Sequence, residues 1–165
     1  MPLRPSTPAD APHHFSDRDT GATYPDAFTM VDAYLGRYCA GAGHDAVALD
    51  ATGYAQLRRG VATIGVNVLE DNGVLMILAP MLAGIGAAPE PPHGGREALY
   101  RRLLELSFLA TSDAAFAIDA TKGVLYVRAL RRLSGLDYEE FEDLLNTVGE
   151  VTEEWEAKLR AEFGV

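Results

Sequence analysis

At 165 residues, with 48% hydrophobic and 23% charged residues, the chain has the makeup of one globular domain able to bury a core without disulfides or metals. No apolar run is long enough to cross a membrane, the opening "MPLRPSTPADAPHH" lacks a secretory apolar stretch, and the single Cys39 excludes an internal disulfide; a cytoplasmic site is expected. The net charge of −10 is concentrated, with ten acids against Lys158 and Arg160 from Leu133 onward giving −8 of it, which argues against nucleic acid and anionic membranes as partners.

Residues 1–23 are rich in Pro, Ser, Thr, Asp and Ala and are expected to form a mobile tail before a single domain at 24–165. His13 and His14 lie there beside Asp10 and Asp17, but nothing fixes a metal geometry, and no metal is expected. A first helix is expected from Pro25 to about Ala40, with Phe28, Val31, Leu35 and Tyr38 at helical spacing, Tyr34 on the flank and Gly41 as the stop. Cys39 near its end reads as a small buried hydrophobe.

After a glycine-rich loop that includes one short extended piece at Ala46 to Leu49, a three-strand meander is expected. Its strands are Tyr54–Arg58, Val61–Leu69 and Val74–Leu82. Arg59-Gly60 makes the first turn and Asn72-Gly73, as a two-residue type I′ turn, the second. That turn would pair Val68 with Ile77, Val66 with Ala79 and Ile64 with Met81 on one face, joined by Ala55 and Leu57. The opposite face would receive Leu69, Met76, Leu78 and Leu82, interrupted by Thr63, Gly65 and Asn67. Pro80 cannot donate to a ladder and suggests an edge, a bulge or a strand end.

"AGIGAAPEPPHGG" then breaks the sheet. A second helix is expected from about Arg96 to Ala110, carried by Leu99, Leu103, Leu106 and Phe108, with Tyr100 and Leu104 widening the stripe. Arg96, Arg101 and Arg102 give it a basic flank that could meet the acidic C-terminal helix. A second hairpin follows, "AAFAID" returning through Thr121-Lys122-Gly123 into "VLYVRAL". The last helix opens on Asp137 as N-cap, with Glu140 completing a capping box and Leu136 and Phe141 at staple positions. Phe141, Leu144, Leu145, Val148, Val151, Trp155 and Leu159 track one face. The order α-β-β-β-α-β-β-α makes an α+β fold, an antiparallel sheet of about five strands with helices packed on it.

This order resembles the fold of class I type III secretion chaperones and YbjN-like proteins. The resemblance rests on "YAQLRRGVATIGVNVLEDNGVLMILAPML", "LYRRLLELSFLATSDAAFAID" and "GVLYVRALRRLSGLDYEEFEDLLNTVGEVTEEW", covering roughly Ala51 to Phe163. One departure is Ser107, which stands where many relatives carry Asn after "LLEL". The resemblance implies a dimeric chaperone without ATPase activity, holding extended client segments on apolar patches of the sheet and first helix. Leu69, Met76, Leu78 and Leu82 on the sheet, and Phe28, Val31 and Leu35 on the helix, are the partner-binding residues this implies.

No phosphate-binding loop, dinucleotide fingerprint or nucleophile elbow is present. His44 and His93 lie in loops, and "DATGY" and "DNG" read as turns rather than calcium loops. No catalytic residue and no cofactor is expected. The second face of the meander could be covered by a helix of the same chain, by a second copy, or by a client segment. The reading favoured is a non-enzymatic chaperone-like adaptor, a homodimer binding a partner-protein segment; the alternatives are a small-molecule-binding regulator or a structural subunit of a larger assembly.

Overall fold

The computed structural model describes residues 15–85 and 91–165. His13, His14 and most of the expected tail lie outside the described residues. Residues 15–24, most of which were expected to belong to that tail, instead form a ribbon of β1 (Phe15–Ser16) and β2 (Thr23–Tyr24). Its turn is held by Asp17, whose Oδ1 accepts the backbone N–H of Asp19 at 2.9 Å and whose Oδ2 accepts Arg37 Nη1 at 3.2 Å. A buried carboxylate must be paired in this way to offset its desolvation. Four polar residues, Asp17 to Thr20, gave no periodic signal from which to expect this.

Helix α1 (Ala27–Ala42) begins at Asp26, whose side chain accepts the N–H of Thr29 at 2.7 Å. It runs past Gly41 and ends at Gly43, which takes the left-handed conformation at φ 68°. The expected extended piece at Ala46 to Leu49 is irregular; Leu49 N–H is taken instead by the Asp32 carboxylate at 2.7 Å.

The main sheet has strands β3 (Tyr54–Arg59), β4 (Ala62–Leu69), β5 (Val74–Ala83), β6 (Ala115–Asp119) and β7 (Val124–Arg132), in the order β3-β4-β5-β7-β6, all neighbours antiparallel. Both meander turns differ from expectation by two residues of register. The β3–β4 turn is Gly60-Val61, with Arg59 opposite Ala62 and Gly60 at φ 56°. The β4–β5 connection is a four-residue loop, a 3-10 turn at Glu70–Asn72 closed by Gly73 at φ 63°, and Leu69 lies opposite Val74. A type I′ turn needs two residues at positive φ; only Gly73 adopts one here. A shift of two preserves side-chain parity, so the expected core face survives: Ala55, Leu57, Ile64, Val66, Val68, Ile77, Ala79 and Met81 are all buried.

Leu82 is the exception. The register between β5 and β7 shifts between Pro80 and Leu82, so Met81 and Leu82 are both buried, Leu82 at 1% exposure. The bulge that Pro80 announced turns Leu82 into the core instead of the outer face.

Helices α2 (Gly95–Leu109) and α3 (Tyr138–Phe163) complete the order α-β-β-β-α-β-β-α behind the ribbon. Asp137 caps α3, accepting the N–H of Glu140 at 3.0 Å. Helix α3 packs along β4, β5 and β7, with Phe141, Leu145, Val148 and Leu159 fully buried. Each such side chain contributes on the order of 1.5–3 kcal/mol of burial. Tyr34 of α1 sits at the junction, edge-on to Tyr24 and Tyr138 at 6.0 and 5.7 Å.

Helix α2 points Leu99, Leu103 and Leu106 inward. Phe108, expected in that stripe, faces outward because nine helical steps from Leu99 place it on the opposite side. Ser107 Oγ accepts the N–H of Phe116 at 3.2 Å and ties α2 to β6, a task that an Asn side-chain oxygen can also perform. Arg102 pairs with Glu162 at 3.4 Å, so the basic flank of α2 does meet the acidic helix within this chain.

Candidate functional site

The helices cover one face of the sheet; the outer face is built by alternate residues of all five strands. Its rows follow from the register. Gln56, Gly65, Leu78, Arg128 and Ala115 form one row across the sheet. Tyr54, Asn67, Met76 and Leu130 form the next. Pro80, Tyr126 and Ala117 form a third.

Over these rows lies an open cavity of about 570 Å³, lined by Tyr54, Gly65, Met76, Leu78, Tyr126 and Arg128 among others, with no helix residue in its walls. Met76 and Leu78 are half-buried and Leu130 is 45% exposed. Gly65 has a positional role: a Cβ there would stand 3.1 Å from the Tyr54 ring, which lies across the glycine. The Tyr54 hydroxyl donates to Gln56 Oε1 at 3.2 Å and fixes that ring. The result is an apolar floor bounded by amides, hydroxyls and arginines.

A second recess, of about 310 Å³, lies where α1 meets the β4–β5 loop and includes Phe28, Val68, Leu69 and Glu70. Glu70 accepts the Phe28 N–H at 3.3 Å, pinning the loop to the start of the helix. The structure therefore brings Met76 and Leu78 together on the outer face, and Phe28 and Leu69 together in the second recess. Val31, Leu35 and Leu82 are 0%, 0% and 1% exposed within the core and present no surface to a partner. On α1, the buried arc simply includes them.

A further apolar surface was missed as a site in the sequence. On α2, Leu104, Phe108 and Leu109 are 75%, 83% and 83% exposed, and Leu104 and Phe108 continue a stripe begun by Tyr100. The spacing of residues 100, 104 and 108 was its available signal.

None of these surfaces has the shape of a catalytic centre. Among the described residues, no group of His, Cys, Asp and Glu is arranged to hold a metal, and no helix is long and apolar enough to cross a membrane. The shifted titrations belong to packing. Burial raises the phenols of Tyr34 and Tyr38 and pushes Tyr138 up to about 12, while the Thr29 hydrogen bonds lower Asp26 at its cap.

The geometry is matched by known proteins. The chain resembles one in the crystal structure of the ExsC–ExsE complex, at 23% identity and TM-score 0.64 over 81% of this chain and 96% of that one. It also resembles one in the HopA1–SchA chaperone–effector complex, at 11% identity and TM-score 0.57 over 78% and 97%. A third similar chain belongs to the heterodimeric ExoU–SpcU complex of the Pseudomonas aeruginosa type III secretion system, at 17% identity and TM-score 0.53 over 81% and 98%. No curated protein matches. These likenesses establish the α+β fold. The model of the Tir chaperone protein (CesT) family matches residues 40–156. The chain therefore belongs to the Tir chaperone protein (CesT) family, a family of non-enzymatic chaperones that bind partner proteins.

Proposed function

We propose that this chain is a cytoplasmic secretion chaperone that holds a segment of an effector-like partner on the outer face of its sheet. The observation that carries this reading is the half-buried apolar floor of Met76 and Leu78, which no helix among the described residues covers. A soluble chain gains nothing by leaving such a floor in water, and apolar patches of this kind mark interaction surfaces. Phe28 and Leu69 offer a second anchor at the α1 end of the same domain. The similar chains come from complexes described as chaperone–effector or as part of a type III secretion system, which favours the secretion side of the resemblance over the YbjN-like side.

We further assign the exposed α2 stripe to self-association. Leu104 and Phe108 are far more exposed than Met76 and Leu78, and the stripe lies on a regular helix able to pack against its own copy. The test is capture of a partner from cells of the source by tagged wild type and by Leu78→Asp. The variant should fold, keep the wild-type mass and lose the partner. Undiminished capture by a folded Leu78→Asp chain would place the client elsewhere.

A further inference from the structure

The outer face is basic in a chain whose net charge is −10. Its outward strand positions carry Arg58, Arg128 and Arg132 and a single acid, Asp119, which is already paired with Lys122 at 3.6 Å. The chain's excess of acids lies mostly on α3, on the other side of the sheet. Arg128 flanks Leu78 directly in the register, and its Nε is buried without a hydrogen-bond partner. No ion pair involves Arg58, Arg128 or Arg132 among the described residues; of the two acids in the β4–β5 loop, Glu70 is engaged with the Phe28 N–H and Asp71 is exposed.

We infer, resting on the client-binding reading above, that the segment bound on this face is acidic as well as apolar: a short apolar stretch bracketed by carboxylates. Met76 and Leu78 receive the apolar stretch. Arg128 receives a carboxylate side-on through Nε and Nη, the geometry in which a guanidinium binds carboxylate best. Arg58 lies three strands across and two residues along from Arg128, about 16 Å at the usual strand geometry, and Arg132 lies four residues along β7, about 13 Å away. Those spans correspond to carboxylates roughly four to five residues apart in an extended client, or about nine to eleven apart in a helical one. The arginines also steer: a basic face draws acidic segments toward it and speeds their encounter.

The test uses three labelled peptides with one apolar centre, flanked by Glu, by Gln or by Lys, and reads binding to the full chain by fluorescence anisotropy. The Glu peptide should bind wild type at least roughly tenfold tighter than the Lys peptide, and more weakly as salt rises. Arg128→Glu should reverse that order, Arg128→Gln should flatten it, and Leu78→Asp should abolish binding of all three. Circular dichroism confirms that each variant is folded. Equal binding of the three peptides, still lost in Leu78→Asp, would overturn the acidic-client inference and leave the client site standing. Binding unaffected by Leu78→Asp would overturn the site itself. A change in solution mass on Arg128→Glu without peptide would show that a second copy occupies the face, which also overturns the inference.

Discussion

Asp17 and Arg37 tie the N-terminal ribbon to the body of the protein. Arg37 holds the buried Asp17 carboxylate at 3.2 Å and places its Cζ over the Tyr138 ring, 3.7 Å from the centroid, so one side chain joins the ribbon, α1 and α3. Asp17→Ala strips Arg37 of this partner and the turn of its acceptor. The expected cost is about 1–3 kcal/mol, read as a lower urea midpoint. The neighbouring tyrosines predict an alkaline limit. Their phenols are raised by burial, Tyr138 to about 12, whereas an unfolded phenol titrates near ~10. The unfolded chain therefore loses these protons first. Their stabilising contribution is complete below pH ~10 and is lost as pH rises toward about 12. Urea midpoints should hold steady from pH ~7 to ~9 and fall above ~10, less steeply in Tyr34→Phe. A midpoint that rose with pH in that window would contradict the assignment.

At the scale of elements, the meander shows what a sequence states and what it hides. Alternation along Ile64, Val66 and Val68, and along Ile77, Ala79 and Met81, is physical information about burial, and it placed the core face correctly. The turn dipeptide was weaker information. Asn72-Gly73 suits a two-residue turn, yet Glu70 caps the start of α1 through the Phe28 N–H, a contact of 42 residues' separation that no local rule contains. The bulge after Pro80 was anticipated as a possibility, but its consequence for Leu82 was not, because one extra residue inverts every face beyond it. Val31 and Leu35 carried the helical spacing of a core stripe; only the resemblance suggested them for a partner, and their full burial follows the spacing. Of the expected site, Met76 and Leu78 were legible as an outer face from parity alone; the arginines beside them became visible only once β7 was paired with β5. Two substitutions separate these roles. Leu82→Ala should cost about 2–5 kcal/mol, as for other buried leucines. Leu78→Ala should cost far less and weaken partner capture. Equal destabilisation by the two would contradict the bulged register. Gly73→Ala should cost about 1 kcal/mol through its positive φ alone, measured by the same urea titration.

At the scale of the molecule, the outer sheet face and the α2 stripe both leave apolar side chains in water, and they suit different tasks. The outer sheet face is broad, half-buried and rimmed by arginines and amides, suited to a segment that is taken up and released. The α2 stripe of Leu104, Phe108 and Leu109 is narrow and strongly exposed, suited to a permanent partner. The measurement that tests this division most directly is solution mass by light scattering on wild type, Leu104→Glu and Leu78→Asp, each checked for folding. Wild type and Leu78→Asp should have twice the 17.8 kDa chain mass, and Leu104→Glu the single-chain mass. A folded, monomeric Leu78→Asp beside a dimeric Leu104→Glu would contradict this division, because the outer sheet face would then be where two copies meet.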